Sequence, residues 1–151
     1  MLSARDIMTT NVVTIRPEAS VEDLAALLEA KRIGGVPVVD EDGQLVGIVT
    51  QSDLVQRCRD LELPPALNIL DLHLFLETQA GFKRRLEKML GATVRAVMTP
   101  DPVTIPPEMS VNEIAALMTD RQVHTLPVLD GKKLVGIVGK IDLVRGVARQ
   151  K

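Results

Sequence analysis

Arg5 to Val55 reads RDIMTTNVVTIRPEASVEDLAALLEAKRIGGVPVVDEDGQLVGIVTQSDLV, and Arg95 to Val144 reads RAVMTPDPVTIPPEMSVNEIAALMTDRQVHTLPVLDGKKLVGIVGKIDLV. With one residue dropped at the Asp40/Asp130 turn, about 24 of 50 aligned positions are identical, so the chain is a tandem repeat. A unit this small cannot bury its own apolar face. Two units packed on each other are therefore expected, with two pseudo-equivalent clefts between them as the place to look for function.

Each repeat opens with a Met-Thr step, Met8-Thr9 or Met98-Thr99. A β-branched run follows, Val12 to Ile15 or Val103 to Ile105, which reads as a strand. Ser20 and Ser110 then start a helix, each with an acidic residue three positions on. Ser110 with Glu113 is a full capping box, and Ser20 with Asp23 its weaker form. Val21, Leu24, Ala25 and Leu28, like Val111, Ile114, Ala115 and Met118, recur at helical spacing and form the core face. Two apolar runs around a polar Asp/Gly turn, VPVV to LVGIV and LPVL to LVGIV, make a hairpin. Asp53 and Asp142 stand at the head of a second helix. The fold class is α/β (α+β): two β-α-β-β-α repeats packed pseudo-symmetrically.

That element order, the leading Met-Thr, the hydrophobic-Pro-Val-hydrophobic-Asp hairpin entry and Leu-Val-Gly-Ile-Val followed by a helix-head aspartate resemble the CBS domain family. Over both repeats the chain is similar to a tandem CBS pair, or Bateman module, as in free-standing bacterial CBS proteins. The expected division is 1–58 for repeat one, 59–93 for a partly helical insert and 94–151 for repeat two. The resemblance implies a regulatory sensor that binds an adenosine-containing ligand between the repeats.

Gly47-Ile-Val-Thr50-Gln-Ser-Asp53 matches the family's ligand signature, Gly-h-h-Thr/Ser-x-x-Asp with h hydrophobic. A carboxylate at a helix head accepts hydrogen bonds from both ribose hydroxyls, and the free amides of the same helix start favour a phosphate. Thr50 would add a hydroxyl; the bland alternative is a strand-end residue beside a helix cap. The second copy, Gly136-Ile-Val-Gly139-Lys140-Ile-Asp142, keeps the aspartate and lacks the hydroxyl. Lys140 is either its substitute toward phosphate or an ordinary solvated lysine. As the resemblance implies, cleft one combines Thr50 and Asp53 with Val103, Thr104, Val123, His124 and Thr125. Cleft two combines Asp142 with Val13, Thr14, Ile33, Gly34 and Gly35.

The ligands implied are AMP, ADP, ATP or S-adenosylmethionine. The few cations expected near the clefts are Lys140, His124, Arg16 and Lys31, a supply that favours AMP or S-adenosylmethionine over ATP without a metal. Neither a metal-ligand cluster nor a nucleophile–base arrangement is evident, so the chain reads as no enzyme, with no room for an attached catalytic domain.

Bulk composition agrees. In 151 residues the net charge is −2 with both signs mixed, which speaks against a nucleic-acid or membrane surface. Phe75 and Phe82 are the only aromatics, leaving no base-stacking platform. One cysteine, Cys58, and no apolar signal segment point to the cytoplasm. In the insert, Pro64-Pro65 breaks or fixes the end of the preceding helix. A very apolar stretch from Leu67 to Leu76 is either a docking surface or a strap over the chain's own core, and His73 within it has no companion at metal spacing. Phe82 to Leu90 reads as an amphipathic helix stopped by Gly91. Two functions stay open: a ligand sensor, forming a homodimer and read by a regulated protein, or a ligand-free dimerisation and interaction module.

Overall fold

A computed structural model describes residues 2–59 and 72–149, with 72–80 as backbone only. Pro64-Pro65 and the apolar residues Leu67, Ile69 and Leu70 lie outside the described residues. The repeat one elements are α1 (Ala4–Ile7), α2 (Val21–Lys31), β1 (Gly35–Val39), β2 (Leu45–Thr50) and α3 (Gln51–Arg59). After α4 (Leu72–Gly91) come α5 (Val94–Val97), β3 (Thr99–Pro100), α6 (Val111–Arg121), β4 (Thr125–Asp130), β5 (Lys133–Gly139) and α7 (Lys140–Ala148).

The helix starts form as the serines predict. Ser20 Oγ accepts from Asp23 N at 3.0 Å, and Ser110 Oγ from Glu113 N at 3.2 Å. Only Glu113 closes the reciprocal bond, to Ser110 N at 3.0 Å. Both hairpins are antiparallel, β1 with β2 and β4 with β5, and their turns place Gly43 and Gly131 at φ 78° and 64°. Glycine accepts that geometry without the Cβ clash other residues meet.

The first strand of each unit is shorter than its β-branched run suggests. One residue, Ile15, makes a parallel bridge to Val38, and Ile105 does the same to Val128. Pro17 and Pro107 stand where the next ladder donor would fall, so neither bridge extends beyond Ile15 or Ile105.

The opening segments are exchanged between repeats. In β3, Thr99 and Pro100 of repeat two pair with Ile48 and Gly47 of repeat one, while Thr9 of repeat one pairs with Ile137 of repeat two. Ala4 N donates to Met109 O and Val94 N to Ala19 O, both at 2.8 Å. Arg5–Glu108 and Arg95–Glu18, at 3.7 and 3.4 Å, repeat this symmetry with exposed charges that contribute little. Each core consequently mixes the two repeats. Ala4 is buried with Ile105, Ile114, Leu126, Val128 and Val138, and Val94 with Ile15, Leu24, Val36, Val38 and Val49.

Helix α4 extends the expected Phe82–Leu90 helix ten residues toward the N-terminus and ends at Gly91, as anticipated. Phe82, Leu86, Met89 and Leu90 are half-buried, and the helix packs on α2. The side chains of the apolar stretch Leu67 to Leu76, read as a docking surface or a strap, lie outside the described residues.

Candidate functional site

The crossover of the two repeats leaves two cavities whose linings are assembled from matching positions. The first, about 530 Å³, is lined from repeat one by Thr50, Gln51, Ser52 and Asp53 at the head of α3. Repeat two contributes Thr99, Asp101 and Val103 from its opening segment and Gln122 to Thr125 ahead of β4. The second, about 260 Å³, is lined by Gly139, Ile141, Asp142 and Arg145 around the head of α7. Facing them are Thr9, Asn11, Val13 and the Arg32 to Gly35 segment. Gly34, Thr125, Gly139 and Ile141 line both cavities, so the two are neighbours across a shared wall.

Of the residues read from sequence for cleft one, Thr50, Asp53, Val103, Val123, His124 and Thr125 line the first cavity and Thr104 does not. For cleft two, Asp142, Val13, Ile33, Gly34 and Gly35 line the second and Thr14 does not. The two exceptions are equivalent positions with one cause. Side chains alternate along extended chain, so with Val13 or Val103 facing the cavity the next threonine faces away. Lys140, read as either a phosphate-binding cation for cleft two or a solvated lysine, lines the first cavity instead. Arg16 and Lys31 line neither.

Both aspartates cap their helices with one oxygen. Asp53 Oδ2 accepts from Thr50 N at 2.7 Å and from Thr50 Oγ1 at 3.1 Å, and Asp142 Oδ2 accepts from Gly139 N at 2.7 Å. The Thr50 hydroxyl is thereby spent on the carboxylate. Each carboxylate remains half-buried at a cavity wall, and its other oxygen accepts no hydrogen bond among the described residues. A pair of ribose hydroxyls suits that acceptor.

Sequence reading missed Thr9, Asn11, Arg32 and Arg145 in one cavity and Thr99, Asp101 and Gln122 in the other. Three of these share a backbone signature. Arg32, Asp101 and Gln122, at φ 52°, 48° and 54°, are the non-glycine residues with positive φ among the described residues. That conformation costs roughly 1–2 kcal/mol per residue, and such residues concentrate where a surface is held in shape for a ligand. Arg32 and Gln122 close α2 and α6 as left-handed C-caps. The usual glycine is absent there, so the sequence gives no sign of it.

A family model for the CBS domain matches residues 4–60 and 94–149. An uncharacterised Methanocaldococcus jannaschii protein, MJ1426, is 32% identical over 151 residues, covering 95% of this chain and 89% of its own. The Bacillus subtilis CBS domain-containing protein YhcV is 31% identical over 147 residues, covering 95% and 84%. Arabidopsis thaliana CBSX2, a chloroplastic CBS domain-containing protein, is 30% identical over 155 residues, and the match spans 97% of this chain and 63% of that protein. The crystal structure of CBSX2 in complex with AMP superposes with a TM-score of 0.74 at 27% identity, covering 99% of this chain and 98% of that one. Two family matches, an exchanged pair of opening segments and a twofold set of cavities lead to one assignment: the chain belongs to the CBS domain family, as a tandem pair.

Proposed function

We propose that this CBS pair is a non-catalytic regulatory module that binds an adenosine-containing ligand between its repeats. The observation that carries this reading is the pair of half-buried aspartates at the heads of α3 and α7. Each faces a cavity with one oxygen left to accept from a ribose. Support comes from CBSX2, a relative of the same architecture whose structure holds AMP. Binding acts through differential affinity: a ligand that touches both repeats favours the packing that holds both walls, and a partner protein reads the shift. The site residues are those that line the two cavities, with Asp53 and Asp142 as ribose acceptors.

The same reading includes a homodimer in the cytoplasm. Val55 on α3 and Ile141, Val144 and Val147 on α7 are 56–66% exposed, a concentration of large apolar side chains that a second copy would cover. Among the described residues no helix is long and apolar enough to cross a membrane.

The test is thermal unfolding followed with an external dye, screening AMP, ADP, ATP with and without Mg²⁺, and S-adenosylmethionine. Ligand at about 100 times its Kd stabilises the fold by about 2.7 kcal/mol, which raises Tm by several degrees. A rise with one ligand, abolished when Asp53→Ala and Asp142→Ala are combined, supports the sensor. No rise with any of them at millimolar concentration leaves the ligand-free interaction module as the better reading.

A further inference from the structure

Because the cavities are built from equivalent positions, their differences can be read residue by residue. Asp101 in the first cavity corresponds to Asn11 in the second, and Gln122 to Arg32. Arg145 of the second corresponds to Gln56 of repeat one, which lines neither. All three changes move charge the same way, toward a more positive second cavity. Two positions run the other way: His124 opposite Gly34, and Lys140, whose counterpart Gln51 does not line the second cavity. The first cavity sets Asp53 and Asp101 against Lys140 and His124, whereas the second sets only Asp142 against Arg32 and Arg145. In the first cavity the Thr50 hydroxyl donates to Asp53, and Lys140 and His124 share the lining with two carboxylates, Asp53 and Asp101. Beyond Asp142 and Arg145 the second cavity adjoins a further hollow of about 260 Å³, whose lining adds Arg149 and Asp6. An anionic tail that leaves the second cavity past Arg145 meets another guanidinium, with the Asp6 carboxylate in the same hollow.

We propose that the two cavities take different ligand classes. The second binds an adenosine carrying a 5′-phosphate, with Arg32 and Arg145 on the phosphate and Asp142 on the ribose, and the first binds an adenosine derivative without phosphate. This rests on the reading of the module as an adenosyl sensor and divides that ligand class between its cavities. Arg32 and Arg145 are well suited: each guanidinium presents a planar fork to phosphate oxygens, and the two reach the cavity from different repeats. Phosphate binding would then lock the repeats together. The wall shared by Gly34, Thr125, Gly139 and Ile141 gives the occupied cavity a direct contact with the other.

The experiment is isothermal titration of the full chain with AMP and with adenosine, at low and high salt. The variants are Arg32→Gln with Arg145→Gln, which installs the residues of the matching positions, and Asp53→Ala. Both arginines are exposed, so their replacement spares the core. The proposal expects AMP affinity to fall by about tenfold for each arginine removed and to weaken with salt, while adenosine binding changes little in either respect. The reverse pair, Asp101→Asn with Gln122→Arg, should add a second AMP equivalent. AMP affinity that survives the arginine pair and collapses in Asp53→Ala overturns the division while leaving the adenosyl reading standing. Absence of binding by both AMP and adenosine removes that reading and the division with it.

Discussion

Met98 of the second repeat lies against Gly47 of the first so closely that a Cβ on Gly47 would stand 2.6 Å from its sulfur and 2.9 Å from the Thr99 carbonyl oxygen. Met8 meets Gly136 in the matching place. The glycine of each Leu-Val-Gly-Ile-Val strand is thus explained by the opening segment of the other repeat. Gly47→Ala should destabilise by about 1–3 kcal/mol, the usual range for overpacking. Met98→Ala in the same chain should recover only part, because the Thr99 backbone cannot retreat. Urea unfolding of the two single variants and the double variant measures this coupling.

The exchange also predicts where damage appears. Val94 belongs by sequence to repeat two, yet it is fully buried among Ile15, Leu24, Val36 and Val49. Val94→Ala should therefore raise amide hydrogen exchange across residues 15–50 more than across 105–139. Ala4→Gly should do the converse. Equal loss in both regions would mean that the two cores open as one unit.

Asp53 holds the start of its helix and lines the first cavity, and its proposed ligand role separates from its capping role by substitution. Asp53→Ala removes the acceptor for Thr50 N and should cost about 1 kcal/mol without any ligand. Asp53→Asn keeps an acceptor for that amide, so the stability of the free protein should stay close to wild type. The amide also places a donor where ribose hydroxyls need an acceptor, so ligand affinity should fall in both variants. Thermal unfolding with and without saturating ligand distinguishes them.

Much of this fold is legible along the chain because it is written locally. Serine caps, the helical spacing of Leu24 and Leu28, and glycines at the hairpin turns each act within a few residues. The aspartates at the helix heads belong to the same class. What the sequence hides is of longer range or lacks a marker. The pairing of Thr99 with Ile48 depends on contacts between distant segments, for which periodicity has no signal. The left-handed caps at Arg32 and Gln122 carry ordinary side chains, and Arg145 resembles any solvated helix arginine until the fold turns it toward Asp142 and Thr9. The β-branched run Val12–Ile15 has strand propensity, but Ile15 alone bridges to Val38 and Pro17 blocks extension beyond it.

Near the N-terminus, Ser3 backbone N and Oγ both donate to Asp6 Oδ2, at 2.8 and 3.1 Å, and the backbone bond foremost holds that carboxyl below its ordinary value of 3.8. A depressed native pKa makes the ionised form the stabilising one. Its contribution is complete above the unfolded pKa and is lost as pH falls through the native value. Urea unfolding of wild type and Asp6→Asn should thus show a stability gap at neutral pH that closes below about pH 4. A gap that persists unchanged in acid would contradict it.

Val55 and Val144 occupy equivalent positions on α3 and α7 and are 66% and 62% exposed. A solvated helix face favours polar residues there, and burying both valines against a second copy returns apolar area at about 25 cal/mol per Å². Val55→Glu combined with Val144→Glu should convert the proposed dimer to a monomer in sedimentation velocity while thermal unfolding of the monomer stays cooperative, since neither side chain contributes to a core. A charge at the centre of an apolar contact is costly to desolvate, so a single substitution should already weaken association measurably. A doubly substituted chain that still sediments as a dimer would place the interface elsewhere on the molecule, and a wild-type chain that sediments as a monomer would remove the dimer itself.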